Sequence, residues 1–461
     1  MHRNIIRVTS VILLILLAIF APVLISGYSE LAKARSAGSY VEAAQHYQLA
    51  VQRIPWRTDL HELVGHTYYY AKEYTEADAA YQEALNNDAL SAEGWVAWGD
   101  VNYLNDDPQR AAYIWAQAAE QKSPSAVLYS RLAQIYQETG EYSRAADSLQ
   151  KYVSIHLDDA SAHYRLGLLL TLSDLNTASS ELLATSQLDP QFDSAVETLR
   201  TALDMAASND APSERLVIIG RGLGLVQEWE LARAAFDEAT RLDEKNADAW
   251  AWLGEARQQI GEAGAESDLE AAMSLNPNSS TVRGLRGLYF QRTNNFRQAL
   301  EEFQFAARLE PGNPTWMVSL GEAHSKLGDL ILALEAYKSA TTLAPDDVNY
   351  WRLLATFCAQ NGVNIKDVGV PAAQKAVVLS EDDPTTLDLL GWLLLLDARY
   401  DDAESILSHA LELDSQNASA HLHIALVYLQ KEDRDSAYDH LVLARDLGSV
   451  EAEAWLGQYF P

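Results

Sequence analysis

The chain has 461 residues, 65 of them acidic and 34 basic, so its formal net charge at pH 7 is −31. A chain this acidic repels phosphate backbones, so we expect no nucleic-acid partner. Hydrophobic residues make up 48% of the chain, too many for a protein that is disordered in bulk. The single cysteine, Cys358, leaves no intrachain disulfide, and we expect it to be a buried structural thiol.

The N-terminal segment is apolar, and residues 8–29 contain no charged side chain. At 1.5 Å per residue, a helix of this length spans roughly 33 Å, enough to cross the hydrocarbon core of a bilayer. We therefore predict that residues 1–27 form a single-pass transmembrane anchor. Arg3 and Arg7 favour a cytoplasmic N-terminus with the remaining chain exported, although Lys33 and Arg35 follow closely on the other side.

Two alternatives for this segment stay open. A cleaved signal peptide would also begin with basic residues and an apolar run, but no Ala-x-Ala site follows the run here. The segment could also be a buried helix of the domain that follows.

Beyond the anchor, small residues recur at intervals of 34. One series comprises Gly65, Gly99, Ala133, Gly167, then Gly220, Gly254, then Gly287, Gly321 and Ala355. A second series comprises Ala43, Ala77, Ala111, Ala145, then Ala265, Ala299, Ala333, then Ala403 and Ala437. A fixed interval over most of a chain is typical of a repeat array, because each unit meets its neighbour at the same points.

Residues 60–89 illustrate one unit. The first half has one helical face, formed by His61, Val64, Gly65 and Tyr68. The second half has another, formed by Ala77, Tyr81 and Ala84. The short connection predicts that the two helices pack antiparallel, and we expect Gly65 and Ala77 to lie where their backbones come closest.

The unit resembles the tetratricopeptide repeat (TPR). The residues that carry the resemblance are Trp250, Leu253 and Gly254 at the opening of a unit, and Ala299, Phe303, Ala306 and Pro311 at the close of another. About twelve such units fit between Gly27 and Leu447. The resemblance implies an all-α fold, a right-handed superhelical solenoid of antiparallel helix pairs, here preceded by one transmembrane helix.

The repeat register divides the chain into five segments. We predict an anchor at 1–27, a first TPR block at 28–190, an irregular helix and loop at 191–213, a second TPR block at 214–447 and a C-terminal capping helix at 448–461. The irregular segment is an unpaired helix or degenerate half-unit, or alternatively a hinge between two sub-arrays.

The family resemblance also implies a concave groove that is lined by the first helix of each unit and binds protein or peptide partners. Carried over by register, the polar groove positions are His66, Tyr69, Asp100, Tyr103, Gln134, Gln137, Arg221, Glu255, Gln258, Gln291, Glu322, Ser325 and Arg352. Some TPR proteins clamp a carboxylate with Lys and Asn at such positions, and this chain lacks those Asn residues. Each position could equally be ordinary solvated helix surface.

We find no signature of an enzyme, a metal site or a cofactor, and no evident small-molecule substrate. The glycines of residues 220–224 are not preceded by a strand, so helix packing explains them better than a phosphate loop. The histidine pairs His61 with His66 and His421 with His423 do not share a helix face.

From the family resemblance, and by elimination of other classes, we expect a membrane-anchored scaffold or adaptor that mediates protein–protein interactions, for example in assembly of a membrane or envelope complex. The alternative is an accessory subunit that recruits substrate or partner to a polysaccharide-synthesis or export enzyme.

Overall fold

The structure is a computed structural model. It describes the backbone of residues 2–121, 125–380 and 383–460, and the side chains of these stretches other than 2–17, 19 and 121. Over this described part the chain is helical throughout, and its helices pack mainly against their neighbours in sequence. It forms two compact units, Met1–Asp210 with Leu225–Gln227 and Ala211–Gly224 with Glu228–Pro461.

The N-terminal unit contains five helix pairs and one further helix. In chain order its helices are α1 (His2–Ser36), α2 (Tyr40–Arg53), α3 (Asp59–Tyr70), α4 (Tyr74–Asn86), α5 (Ala92–Leu104), α6 (Pro108–Gln121), α7 (Ala126–Glu138), α8 (Tyr142–Val153), α9 (Ala160–Leu170), α10 (Leu175–Leu188) and α11 (Asp193–Ala207). Each pair joins helices of 11 to 14 residues through a short turn, except that α1 has 35 residues.

The C-terminal unit contains seven pairs and a last single helix. Its helices are α12 (Pro212–Leu225), α13 (Trp229–Leu242), α14 (Ala247–Ile260), α15 (Ala265–Leu275), α16 (Ser280–Arg292), α17 (Phe296–Leu309), α18 (Pro314–Leu327), α19 (Leu330–Leu343), α20 (Val348–Asn361), α21 (Val370–Ser380), α22 (Pro384–Leu396), α23 (Tyr400–Leu413), α24 (Ala418–Gln430), α25 (Arg434–Asp446) and α26 (Val450–Tyr459). The last helix covers the end of the α24–α25 core with Ala452 and Leu456.

The predicted anchor and the first repeat share one helix, α1. Leu24 and Leu31 pack in one core cluster with Ile54 of the first repeat, and a Cβ at Gly27 would lie 2.6 Å from Ile54 Cγ2. The end of the segment predicted as anchor therefore packs inside the repeat array. Its side chains over residues 1–17 lie outside the described residues. Where the side chains are described, no helix has both the length and the apolar run needed to cross a membrane.

Several glycines of the series leave room for large side chains of the second helices. A Cβ at Gly65 would lie 2.8 Å from the ring of Tyr81, and one at Gly287 would lie 2.5 Å from Phe303. Trp115 occupies the same space beside Gly99. We expected backbones to approach each other at Gly65, and the structure instead puts a ring there, because a glycine leaves room for a side chain sixteen residues later.

Two connections of the chain are shorter or more helical than a plain loop. The loop of the irregular segment predicted at 191–213 ends before Pro212, where α12 begins, and proline suits the first turn of a helix because its missing N–H has no partner there anyway. The long connection near residue 365 contains a π-helix, Ile365–Gly369, that runs directly into α21. Before α11, a 3₁₀-helix covers Pro190–Phe192.

Candidate functional site

Four of the predicted groove residues lie together in the N-terminal unit. Tyr69, Asp100, Tyr103 and Gln134 line one cavity of about 220 Å³. Its remaining walls come from Leu104, Trp115, Arg131 and Ile135.

The repeat register builds this cavity from three successive first helices. Tyr69 lies in the last turn of α3, Tyr103 in the last turn of α5, and Gln134 on α7. Residues 34 apart, such as Tyr69 and Tyr103 or Asp100 and Gln134, lie at matching points of neighbouring repeats, so these side chains face one space. Trp115 of α6 closes the inner wall, with its Nε1 donating to the Val96 carbonyl at 3.1 Å.

The cavity contains a half-buried ion pair. Arg131 Nε lies 3.0 Å from Asp100 Oδ1, and the side chains of Arg131 and Asp100 are 44% and 15% exposed. Burial raises the pKa of Asp100, and Arg131 opposes that rise through its charge and hydrogen bond. The pair is accessible from one side because the Arg131 guanidinium extends toward solvent.

A second carboxylate lies at the rim. Tyr103 Oη donates to the two oxygens of Glu138 at 3.0 and 3.1 Å, and Gln134 Nε2 donates to Glu138 at 2.9 Å. The bond from its hydroxyl to Glu138 raises the pKa of Tyr103, because an ionised phenol could no longer donate to the carboxylate. Among the described residues, no cationic side chain lies within ion-pair distance of Glu138.

A row of tyrosines extends from the cavity toward the first repeat. The ring of Tyr69 lies 5.5 Å from that of Tyr70, and Tyr70 lies 5.5 Å from Tyr40. Tyr40 and Tyr70 are 58% and 61% exposed. We call Tyr40, Tyr70 and Tyr69 the tyrosine row.

The other two predicted residues of this unit do not line the cavity. His66 Nδ1 lies 2.8 Å from Tyr81 Oη, and its Nε2 lies 3.2 Å from Glu62. Gln137 accepts a hydrogen bond from Arg165 of the next repeat. Both side chains thus hold helices together.

In the C-terminal unit the predicted residues mostly contact one another or the neighbouring repeat. Glu255 is only 4% exposed and receives two hydrogen bonds of 2.7 Å from Arg292, which also donates to Gln258. Gln291 donates to Glu322 at 2.9 Å.

The remaining predicted positions of that unit are similarly engaged. Arg352 donates to Thr386 and Asp383, each at 2.6 Å, and Arg221 lies 5.4 Å over the ring of Trp252. Ser325 is half-buried near the end of α18. Over the described residues, no group of three metal-ligating side chains is close enough to hold an ion.

Several of these polar contacts share a spacing of 31 residues. It separates Arg131 from Asp100, Glu322 from Gln291, and Asp383 from Arg352. A spacing of 31 residues is one repeat of 34 minus about one helical turn. Each side chain therefore contacts the first helix of the next repeat one turn before the position equivalent to its own. The sequence prediction used only residues 34 apart and therefore missed Arg131. A search for complementary residues 31 apart would have found it.

Comparison with known proteins identifies the repeats. The tetratricopeptide-repeat family matches residues 65–127, 226–278 and 285–348, and a second description of the same repeat matches 126–158. The chain therefore contains tetratricopeptide repeats over these stretches, and the part of it that the structure describes is all-helical.

Curated relatives share the repeats over part of their length. Superkiller complex protein 3 of Mus musculus is 25% identical over 305 residues, which cover 64% of this chain and 18% of that protein. The Homo sapiens protein of the same name is 23% identical over 370 residues, covering 74% of this chain and 22% of its own. The chain thus spans about a fifth of the length of these relatives. Among solved structures, the APC/C hetero-tetramer Cut9–Hcn1 aligns over 97% of this chain and 98% of its own, with 17% identity and a TM-score of 0.39.

Proposed function

We propose that this chain of tetratricopeptide repeats is a membrane-tethered scaffold that binds a protein segment on the first-helix face of its N-terminal unit. The observation that carries the proposal is the cavity of about 220 Å³ beside the tyrosine row. Its lining combines aromatic walls with a few polar groups, the composition usual for a recognition site. Leu104, in its wall, is 46% exposed and open to a partner.

The first-helix face of the C-terminal unit supports a structural role better. There the predicted groove residues are already bonded within the unit, as Glu255 is to Arg292. A partner would have to break these hydrogen bonds before forming its own, which lowers the net gain on binding. We therefore place the primary binding face in the N-terminal unit.

The proposed tether rests on the part of the uncharged run 8–29 that precedes Leu24 and Gly27, which pack in the first repeat. With Arg3 and Arg7 before it, this run favours a cytoplasmic N-terminus and an exported array. In this arrangement α1 would connect the bilayer to the first repeat without a flexible linker. A scaffold held in this way would assemble a membrane or envelope complex, and the relatives are themselves named as members of a complex.

The binding face is tested by affinity purification of the full chain and two matched variants. Leu104→Arg puts a bulky cation into the cavity wall, whereas Leu157→Arg makes the same change at an exposed site (71%) elsewhere in the unit. We expect Leu104→Arg to lose partners that the unaltered chain and Leu157→Arg both retain. An identical partner set for all three proteins would contradict the proposal.

The tether is tested separately by deletion. Removing residues 1–17 rather than 1–27 spares Leu24 and Gly27, which pack in the first repeat. We expect the full chain to sediment with membranes after carbonate extraction and the shortened chain to stay in the supernatant. Protease added outside intact cells should cleave the array if it is exported, and protection of the array would reverse the proposed topology.

A further inference from the structure

The carboxylates at and beside the cavity of the N-terminal unit outnumber its cationic groups. Asp100 and Arg131 line the cavity as an ion pair, and the exposed carboxylate of Glu138 lies beside it, bonded to the lining residues Tyr103 and Gln134. Glu138 receives only neutral donors, from Tyr103 and Gln134, among the described residues. The site therefore has one more carboxylate than cationic group.

Three of the eight residues that line the cavity are aromatic. The rings of Tyr103 and Trp115 lie 6.1 Å apart at an angle of 39°, and Tyr69 lines the same space. Aromatic faces carry negative electrostatic potential and attract cations placed within about 6 Å of the ring centre. The rings and the carboxylates thus favour the same sign of charge in the ligand.

We propose that this cavity binds a cationic side chain of the partner, arginine in preference to lysine. The inference rests on the proposed function, since it names the chemistry that the same face recognises. A guanidinium can stack on a tyrosine and donate through its edge to Glu138, whereas an ammonium offers a point charge without a flat face. Residues flanking the arginine would lie along the tyrosine row.

Other ligands fit the site less well. An anionic side chain would meet Asp100 and Glu138, and the Arg131 charge is already committed to Asp100. An aliphatic side chain would cover the carboxylate of Glu138 without supplying a charge, which costs solvation free energy.

The inference is tested with N-acetylarginine methylamide as the probe, bound to the full chain and followed by saturation-transfer NMR. Its citrulline analogue has nearly the same shape without the charge. We expect the citrulline compound to bind about tenfold more weakly, the size of a lost cation–π contact of roughly 1–2 kcal/mol. Equal binding of the two compounds, or tighter binding of N-acetylglutamate methylamide, would overturn the inference.

Matched variants separate local recognition from general attraction to an acidic protein. Glu138→Gln removes the rim carboxylate, and Glu93→Gln removes an exposed carboxylate of α5 outside the cavity. We expect Glu138→Gln to weaken binding of the arginine probe about two- to fivefold, as for an exposed ion pair, and Glu93→Gln to leave it unchanged. Equal weakening by both variants would mean that the net charge alone attracts the probe, and would also overturn the inference.

A photoreactive benzophenone amino acid in place of Leu104 distinguishes this inference from the proposed function. A partner that crosslinks there and is lost with Leu104→Arg, but has no arginine or lysine in the crosslinked segment, would refute the cationic ligand and leave the scaffold role standing. An arginine in that segment would support both. A partner set unaffected by Leu104→Arg would refute the scaffold role, whatever the NMR result.

Discussion

Nδ1 of His421 lies 2.8 Å from Nδ1 of His440, so two imidazoles of the α24–α25 pair share one hydrogen bond. His421 also lies 3.2 Å from the Ser415 carbonyl through Nε2, which fixes that nitrogen as the donor. Nδ1 of neutral His421 must then accept from His440. The bond survives one proton on the pair, but with both rings protonated two N–H groups would face each other.

The histidine pair should make the last repeats less stable in acid. Burial and His421 lower the pKa of His440, with Asp439 opposing and the Tyr428 ring stacked 5.6 Å away. Because the folded pKa is below the ordinary 6.5, the stabilisation is complete above pH 6.5 and declines as the pH falls below it. Hydrogen exchange of α24 and α25 should accelerate over that range.

Substitution tests the cause of this pH dependence. His440→Gln removes the second titrating group and should flatten the pH dependence of exchange in α24 and α25. His156→Gln alters an exposed histidine of the N-terminal unit and should leave that dependence as it was. If His440→Gln kept the full pH dependence, another group would be responsible.

Gly287→Ala should destabilise its repeat by about 1–3 kcal/mol, the usual cost of overpacking a core. The added methyl group would lie 2.5 Å from the ring of Phe303, which is fully buried and cannot move away freely. Gly457→Ala is the control, since nothing lies within 4 Å of its added Cβ. That change should be neutral or stabilise α26 by up to about 1 kcal/mol. Urea titrations of the two variants measure their free energies of unfolding. Equal stability would contradict the conclusion that the Phe303 ring fills the space beside Gly287.

Arg292→Ala should lower the free energy of unfolding by roughly 2 kcal/mol. It leaves the carboxylate of Glu255, whose side chain is 5% exposed, without its bidentate partner. The cost is less than the 3–5 kcal/mol of a fully buried pair, because Arg292 itself is 37% exposed and water screens it. Hydrogen exchange of α14 and α16 measures the loss. Arg292→Lys should recover only part of it, because an ammonium cannot form both bonds.

Cys358 should resist thiol reagents in the folded protein. Its side chain is fully buried, and burial raises the pKa of the thiol to about 11, so little reactive thiolate exists near neutral pH. Labelling with a maleimide should be slow in buffer and fast in denaturant. Rapid labelling of the native chain would show that α20 and α21 open readily.

The sequence could predict the repeated helix pairs, because a period of 34 with glycine and alanine at fixed points allows few folds. It could not predict that the ring of Phe303 fills the space at Gly287, because an interval does not say which atoms meet. The irregular segment predicted at 191–213 extended past Pro212, whereas this proline begins α12. In each case the missing information is a contact between two helices.

The candidate site was predictable only in part for a similar reason. Register indicated Tyr69, Asp100 and Tyr103, which occupy equivalent faces of neighbouring repeats. Arg131 required the offset of one helical turn between the helices, a geometric quantity that no single repeat contains. Glu138 lies 35 residues after its partner Tyr103 and was not among the predicted groove positions. Spacing also could not distinguish Asp100 in an open cavity from a residue such as Glu255 that its neighbour covers.

The pairing of a glycine with a large residue sixteen positions later also constrains how this protein can change over generations. A larger residue at Gly321 could become fixed only after Tyr337 had been replaced by a smaller residue. The two positions should therefore vary together, whereas neighbouring surface positions should vary independently. Homologues aligned on this period should therefore vary in correlated pairs at the repeats that contain such a glycine and ring.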